Sequence, residues 1–267
     1  MSALLSSPGA LAEMGRASLR WLAGWWRIVH FGAVILVLAL SPSSYDRGRR
    51  PALARQIYLG TAPILLWFTV LSSLISLVVI RIVVVTALSY GLSKYALEMV
   101  VRVLVLELIP LTSAIFVALR CAIPNAAEVY DLRAQGGFAA LTGAGVDPLR
   151  REVLPRVVAG MFSVLLLVAV ACVVTLLLAC LSVHGFTTAG FAGYTRTGGR
   201  VFGPGVALIF VLKTFFLALA VGLIPIATVL FEGARTQLRL SAELEGLVRL
   251  FTVVLLIEAA SLIGNYY

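Results

Sequence analysis

Long apolar runs separated by short polar interruptions dominate the chain. A helix rises 1.5 Å per residue, so about 20 apolar residues cross the roughly 30 Å of hydrocarbon in a bilayer. Five runs have spanning length, and they cover residues 61–85, 97–119, 157–183, 206–231 and 247–263. The pattern therefore predicts an all-α membrane protein with about five transmembrane helices.

A sixth apolar segment, residues 21–40, has a different character. It contains Arg27 and His30, and its uninterrupted part is too short to cross the hydrocarbon. Three tryptophans near its start and arginines on both sides favour an interfacial helix on the cytoplasmic surface. A spanning helix is the alternative for this segment.

Charged residues, prolines and glycines interrupt the apolar pattern over a long interval only between Glu107 and Arg156. Residues 125–142 predict a short helix, which carries four polar residues in its first half: Glu128, Asp131, Arg133 and Gln135. The loop motif Val146, Asp147 and Pro148 predicts a helix start, because Asp caps free N–H groups and Pro suits the first helical position. A polar helix between two spans indicates a segment on one membrane face that contacts a partner.

Composition agrees with a membrane protein, since hydrophobic residues make up 61% of the chain, charged residues 12%, and the mean hydropathy is +1.05. The formal net charge of +9 does not indicate nucleic-acid binding, because no basic stripe with interleaved aromatic residues is present. Most arginines fall in segments on the side of the N-terminus, which predicts a cytoplasmic N-terminus. We expect one domain over 1–267, with an N-terminal segment over 1–58 and the bundle over 59–267.

Two ionisable residues, Glu107 and Lys213, lie deepest in the predicted spans. Charges inside a bilayer are costly, so they are functional candidates, and they either pair structurally or line a polar region near a lipid headgroup. Pro110 removes one backbone hydrogen bond and is expected to kink its helix. Glu258, in the last span, either faces the bundle or lies near the outer interface.

Motifs for catalysis are not evident. The chain lacks the Gly-x-x-x-x-Gly-Lys-Ser/Thr phosphate loop, so we expect ATP hydrolysis only in a partner. Its two histidines, His30 and His184, form no recognisable dyad, and its three cysteines lack metal-ligand spacing. The sequence therefore predicts a protein that is not an enzyme and has no cofactor or metal.

Several short motifs between residues 55 and 231 resemble the MlaE (YrbE-like) permease family. They are Glu107-Leu108-Ile109-Pro110, Ala118-Leu119-Arg120, Ala127-Glu128, Leu132-Arg133-Ala134, Gly145-Val146-Asp147-Pro148, Pro155-Arg156 and Lys213-Thr214. The chain departs from the family pattern at Leu106, Leu119, Ala122 and Gly136-Gly137, where the family has respectively an arginine, two glycines and a Glu-Gln pair. Glycines in a helix interior weaken the helix, so Gly136-Gly137 would weaken the predicted helix over residues 125–142 and its coupling to a partner.

The resemblance implies a multi-pass permease in the bacterial inner membrane, part of an ABC-type system that moves phospholipid between membranes. Its expected partners are a cytoplasmic ABC ATPase, an MCE-domain protein and a second permease copy, in a homodimer or a heterodimer. It implies a lipid pathway at Glu107, Pro110 and Lys213. It also implies a coupling helix whose contacts come from Glu128, Asp131, Arg133, Gln135, Phe138 and Leu141.

Alternatives remain for both the segment and the protein. The predicted coupling helix is otherwise an amphipathic connector on the membrane surface. The protein is otherwise a diverged, weakly coupled partner subunit of a heterodimeric permease, or a scaffold that anchors an MCE protein.

Overall fold

The computed structural model describes residues 8–41, 50–91, 93–184, 199, 202–232 and 239–266. Regular structure in these residues is entirely helical, as predicted. The α-helices are α1 (Pro8–Leu40), α2 (Arg50–Ser89), α3 (Ser93–Val100), α4 (Ile109–Val117), α5 (Ile123–Ala134), α6 (Gly137–Gly143), α7 (Leu154–His184), α8 (Pro204–Glu232) and α9 (Arg239–Tyr266).

Six helical stretches in the described part of the chain are long and apolar enough to cross a membrane. They are Ala23–Leu40, Leu53–Ser89, Glu98–Ala134, Leu149–Ser182, Pro204–Phe231 and Glu243–Asn265. The last five cover the five predicted spans, apart from residue 97 at the start of one and residue 183 at the end of another. The first falls on the segment predicted to be interfacial, so length and composition admit it as a sixth span, and its interfacial position stays a prediction.

Prolines set the positions of three π-helical turns, Val101–Leu108, Ala118–Ala122 and Leu149–Val153. Each turn ends two residues before a proline, namely Pro110, Pro124 or Pro155. Proline has no N–H and disfavours the α conformation of the residue before it. That preceding residue donates its N–H five residues back, as Ile109 does to the carbonyl of Leu104. The helical path from α3 to α5 is therefore continuous but changes register twice.

Two central helices, α7 and α8, organise the packing. Two buried hydroxyl pairs join α2 to α7, Thr61 with Ser163 at 2.7 Å and Ser76 with Thr175 at 2.8 Å. Because both numbers rise together along the two helices, α2 and α7 run parallel. A Cβ added to Gly222 of α8 would lie 3.0 Å from the carbonyl oxygen of Val157 in α7. Small residues thus let the central helices approach closely, as is usual between membrane helices.

The outer helices add to this pair. Helix α9 packs on α8, α4 packs on both central helices, α5 packs on α8 and α9, and α1 lies on α8 with Phe31 edge-on to Phe231 at 5.7 Å between ring centroids. Ten consecutive residues of α8, Val221–Leu230, are buried. In contrast, α2 exposes large apolar side chains such as Leu66 and Trp67. The apolar exterior fits a protein surrounded by lipid.

Candidate functional site

A buried cluster of charges joins three helical stretches. The Nζ of Lys213, on α8, donates to the Oε2 of Glu107, to the Oε1 of Glu258 on α9 at 2.9 Å, and to the backbone carbonyl of Leu106 at 3.1 Å. We call Glu107, Lys213 and Glu258 the charge triad. The side chain of Lys213 is 1% exposed, against 14% for Glu107 and 13% for Glu258. All three ammonium donors are therefore used inside the protein.

The carbonyl that Lys213 reaches is available because of Pro110. In an α-helix the carbonyl of Leu106 would accept the N–H of the residue four positions later, which here is a proline without an N–H. Pro110 is buried next to the π-helical turn that contains Glu107. The proline thus provides Lys213 with a backbone acceptor beside its carboxylate partner. The predicted kink of the helix stays a prediction.

Charge in the triad is not balanced by its own members. One ammonium faces two carboxylates, and the amide of Asn265 donates to the Oε1 of Glu107 at 3.2 Å. Among the described residues, the Oε2 of Glu258, the Oγ of Ser261 and the Oδ1 of Asn265 are buried without a hydrogen-bond partner. These three side chains follow helical spacing, so they share one face of α9.

Of the two arrangements open for Glu107 and Lys213 from the sequence, the structure shows the ion pair, and Glu258 faces the bundle, where it contacts Lys213. Asn265 was not predicted to belong to this site. Its spacing of seven residues from Glu258, two helical turns, was the available signal. His30 is exposed on α1, and the side chain of His184 lies outside the described residues.

The polar segment between the second and third predicted spans is built differently from the prediction. A single helix over 125–142 is wrong, because α5 continues the preceding span and a turn at Gln135 and Gly136 separates it from α6. Gly136 has φ 75°, in the left-handed region that favours glycine. The glycines that weaken a continuous helix therefore end one helix and start another.

Two of the polar candidates on α5 are held by the bundle. Arg156, at the start of α7, pairs with Glu128 at 3.4 Å and with Glu152 at 2.8 Å. Arg133 donates to the carbonyl of Leu230, near the C-terminus of α8, where a basic side chain stabilises the last helical carbonyls. These contacts link α5 to the start of α7 and to the C-terminal end of α8.

The other candidates lie around the turn after α5. Gln135 is exposed and its N–H donates to the carbonyl of Asp131 at 3.0 Å. Phe138 is half-buried against the protein's own core, and Leu141 is also half-buried. The segment thus presents polar side chains outward, while its largest apolar residue already packs on the bundle.

The loop motif behaves as predicted. The Oδ1 of Asp147 accepts the N–H of Leu149 at 3.0 Å, so Asp147 caps the helix that starts at Pro148. Val146 precedes the cap and donates its N–H to the carbonyl of Leu141 at 3.0 Å. The motif sets the turn between α6 and the helix leading into α7.

Comparison with known proteins gives one result for the family. The model of the family described as Permease MlaE matches residues 53–263, which is most of the chain. A search of curated proteins finds no significant match.

Proposed function

The chain belongs to the MlaE permease family, and from this premise we propose that it moves phospholipid between the bacterial inner and outer membranes. Membership makes it a membrane permease subunit of an ABC-type transporter. The match over residues 53–263 carries this proposal, since it includes all five predicted spans and the polar segment between two of them. The proposed partners are a cytoplasmic ATPase, an MCE-domain protein and a second permease copy.

We propose that α5 and α6 couple the permease to the ATPase. Glu128 has a side chain that is 61% exposed, and Gln135 is exposed at the end of α5. Arg156 and Arg133 attach the same helix to α7 and α8. A push on α5 by a nucleotide-dependent partner would therefore move the two central helices.

The lipid pathway is proposed to run past the charge triad between two permease copies. Lys213 has no donor left for a headgroup, so we assign it and Pro110 to holding the pathway wall rather than to contacting lipid. Glu107 keeps a small exposed fraction and is the candidate for polar contact. In this proposal, a movement of α8 against α4 changes the shape of the pathway wall that Lys213 and Pro110 hold.

A second proposal keeps the same fold but assigns the chain only weak coupling to the ATPase. The turn at Gly136 replaces a continuous helix with two short pieces, which favours a weakly coupled subunit that pairs with another permease. A third candidate function is a scaffold that anchors an MCE protein and does not transport lipid.

The direct test is affinity purification of the tagged protein from native membranes in mild detergent, followed by mass spectrometry of proteins and lipids. The transporter proposal predicts recovery of an ATPase, an MCE protein and phospholipid. Recovery of a second, different permease would favour the heterodimer. Recovery of the protein alone, stably folded, would remove transport from the proposal.

Coupling through α5 is tested by Glu128→Lys, which we expect to abolish co-purification of the ATPase. Glu98→Lys is the matched control, because Glu98 is also paired with an arginine and lies at the other end of the same helical path. At 1.5 Å per residue the two glutamates are separated by roughly 45 Å along that path. Equal ATPase recovery from both variants would contradict the coupling role of α5.

A further inference from the structure

An open cavity of about 850 Å³ lies at the end of the bundle opposite to the charge triad. It is formed by the first part of α2, the start of α5 and the start of α7. Six charged residues line it: Arg55, Arg120, Arg151, Arg156, Glu128 and Glu152. Four arginines against two glutamates leave two positive charges in excess.

The excess positive charge lies on two of the four arginines. Arg156 pairs with both glutamates, and Arg151 lies 3.8 Å from a carboxylate oxygen of Glu152. Arg55 and Arg120 make no ion pair or hydrogen bond with any described residue, and both are exposed at the cavity. A guanidinium presents a planar set of N–H donors that matches the oxygens of a phosphate. The cavity thus offers two free guanidinium groups on its polar side.

The wall formed by α2 becomes apolar beyond its first turn. Along α2 the lining passes from Arg55 to Leu59, Pro63 and Ile64. One helical turn beyond Ile64, a second cavity of about 210 Å³ begins at Phe68, between α2 and α4. Its lining is almost entirely apolar and includes Leu119, the neighbour of Arg120. The two cavities share no lining residue, but they follow one another along α2, and their lining changes from basic to apolar in that direction. We call the two cavities together the seam.

We propose that this seam binds one phospholipid with a net negative headgroup from the cytoplasmic leaflet. Arg55 and Arg120 hold the phosphate, and an acyl chain lies in the groove beside Phe68 and Leu119. Basic sites between membrane helices on the cytoplasmic side are known to select anionic lipids. A free phosphate or a nucleotide would satisfy the arginines but would leave the apolar groove without a ligand. The site needs only a membrane location, so it stands if transport fails.

The experiment measures lipid retained by the purified full chain in nanodiscs of phosphatidylglycerol and phosphatidylcholine, using native mass spectrometry after transfer to neutral detergent. The wild type is expected to retain phosphatidylglycerol preferentially. Arg55→Gln with Arg120→Gln should lower the retained amount by at least about tenfold, because two charge-assisted contacts are lost. Arg81→Gln is the control, since Arg81 is exposed on the same helix away from both cavities.

The groove is tested separately by Ile75→Trp, which fills it, against Ile82→Trp. Both isoleucines are exposed on α2, and only Ile75 lines the groove. We expect Ile75→Trp to lower phosphatidylglycerol retention while binding of inorganic phosphate stays unchanged. Unaltered retention in the double arginine variant would overturn the proposal. Binding of inorganic phosphate without any phosphatidylglycerol would also overturn it, because the site would then belong to a free anion.

Discussion

The charge triad and the basic cavity use the same kinds of residues in opposite ways. In the triad, Lys213 is 1% exposed and every donor of its ammonium group is used within the protein. In the cavity, Arg55 and Arg120 are exposed and unpaired among the described residues. An enclosed charge must find its partners in the fold, whereas an exposed one is free to bind a ligand. Burial, rather than residue type, therefore distinguishes the triad, whose charges stabilise the fold, from the cavity, whose arginines are proposed to bind a ligand.

The free-energy cost of removing a charged residue also differs between the two regions. Removing one member of a buried pair leaves an uncompensated charge away from water, which costs several kcal/mol. An exposed arginine is solvated with or without its ligand, so losing it changes binding more than folding. The four predictions below run from the largest effect on stability to the smallest, and all but Gly136→Ala test this division.

The largest effect is expected for Lys213→Met, which leaves two buried carboxylates without their ammonium partner. We expect a loss of about 3–5 kcal/mol in the free energy of unfolding, measured by denaturant unfolding in detergent micelles. Arg102→Met is the control, because its pair with Glu98 lies within one helix and is about one third exposed. The control should cost at most about 1 kcal/mol. Equal losses in the two variants would remove the distinction between enclosed and exposed charge.

A smaller loss is expected for Gly136→Ala, in the turn between α5 and α6. Gly136 has φ 75°, a conformation that costs an L-residue with a Cβ about 1–2 kcal/mol. Gly143→Ala is the control, because Gly143 has ordinary helical geometry and open space around it. Thermal unfolding of both variants checks the result. A Gly136→Ala variant as stable as the control would argue that the break between α5 and α6 is not required.

Glu258→Gln sharpens the comparison inside the triad. It removes one of two carboxylates facing a single ammonium, and the amide oxygen still accepts from Lys213. We therefore expect a change below about 1 kcal/mol, far smaller than for Lys213→Met. The same unfolding measurement applies. A loss as large as that of Lys213→Met would show that both carboxylates are needed in ionised form.

Salt provides the smallest perturbation of stability and separates the two regions without mutation. Raising ionic strength from about 0.1 M to 1 M shortens the Debye length from roughly 10 Å to 3 Å. Phosphatidylglycerol binding at the open cavity should weaken, while the stability difference between wild type and Lys213→Met should stay constant. Titrations of lipid binding and unfolding at both salt concentrations measure the two effects. Lipid binding insensitive to salt would contradict a site built on Arg55 and Arg120.

Most of the fold was predictable from the apolar pattern, since five spans were predicted and the structure contains a helix for each. The helix cap at Asp147 was also predictable, because a cap depends on neighbouring residues alone. The segment over 125–142 was predicted wrongly as one helix. Helical periodicity does not reveal that Gly136 adopts a positive φ, because glycine is also tolerated within helices.

The charge triad was predictable only in part. The cost of burying charge marked Glu107 and Lys213 as candidates but left their pairing as one of two alternatives. Two positions were open for Glu258, and no role was predicted for Asn265. Their contacts join residues more than 40 positions apart, so they depend on how α8 and α9 pack against each other and against the π-helical turn Val101–Leu108. The backbone acceptor at Leu106 follows from Pro110 only once Lys213 is known to lie beside it.

One crossed measurement tests the division of roles most directly. The melting temperature of the purified chain is recorded with and without phosphatidylglycerol for wild type, Lys213→Met and the double variant Arg55→Gln, Arg120→Gln. We predict that Lys213→Met melts lower but keeps the lipid-induced rise, whereas the arginine variant melts like wild type without lipid and loses that rise. A Lys213→Met variant of normal stability that no longer responds to lipid would contradict the account and move headgroup recognition to the triad.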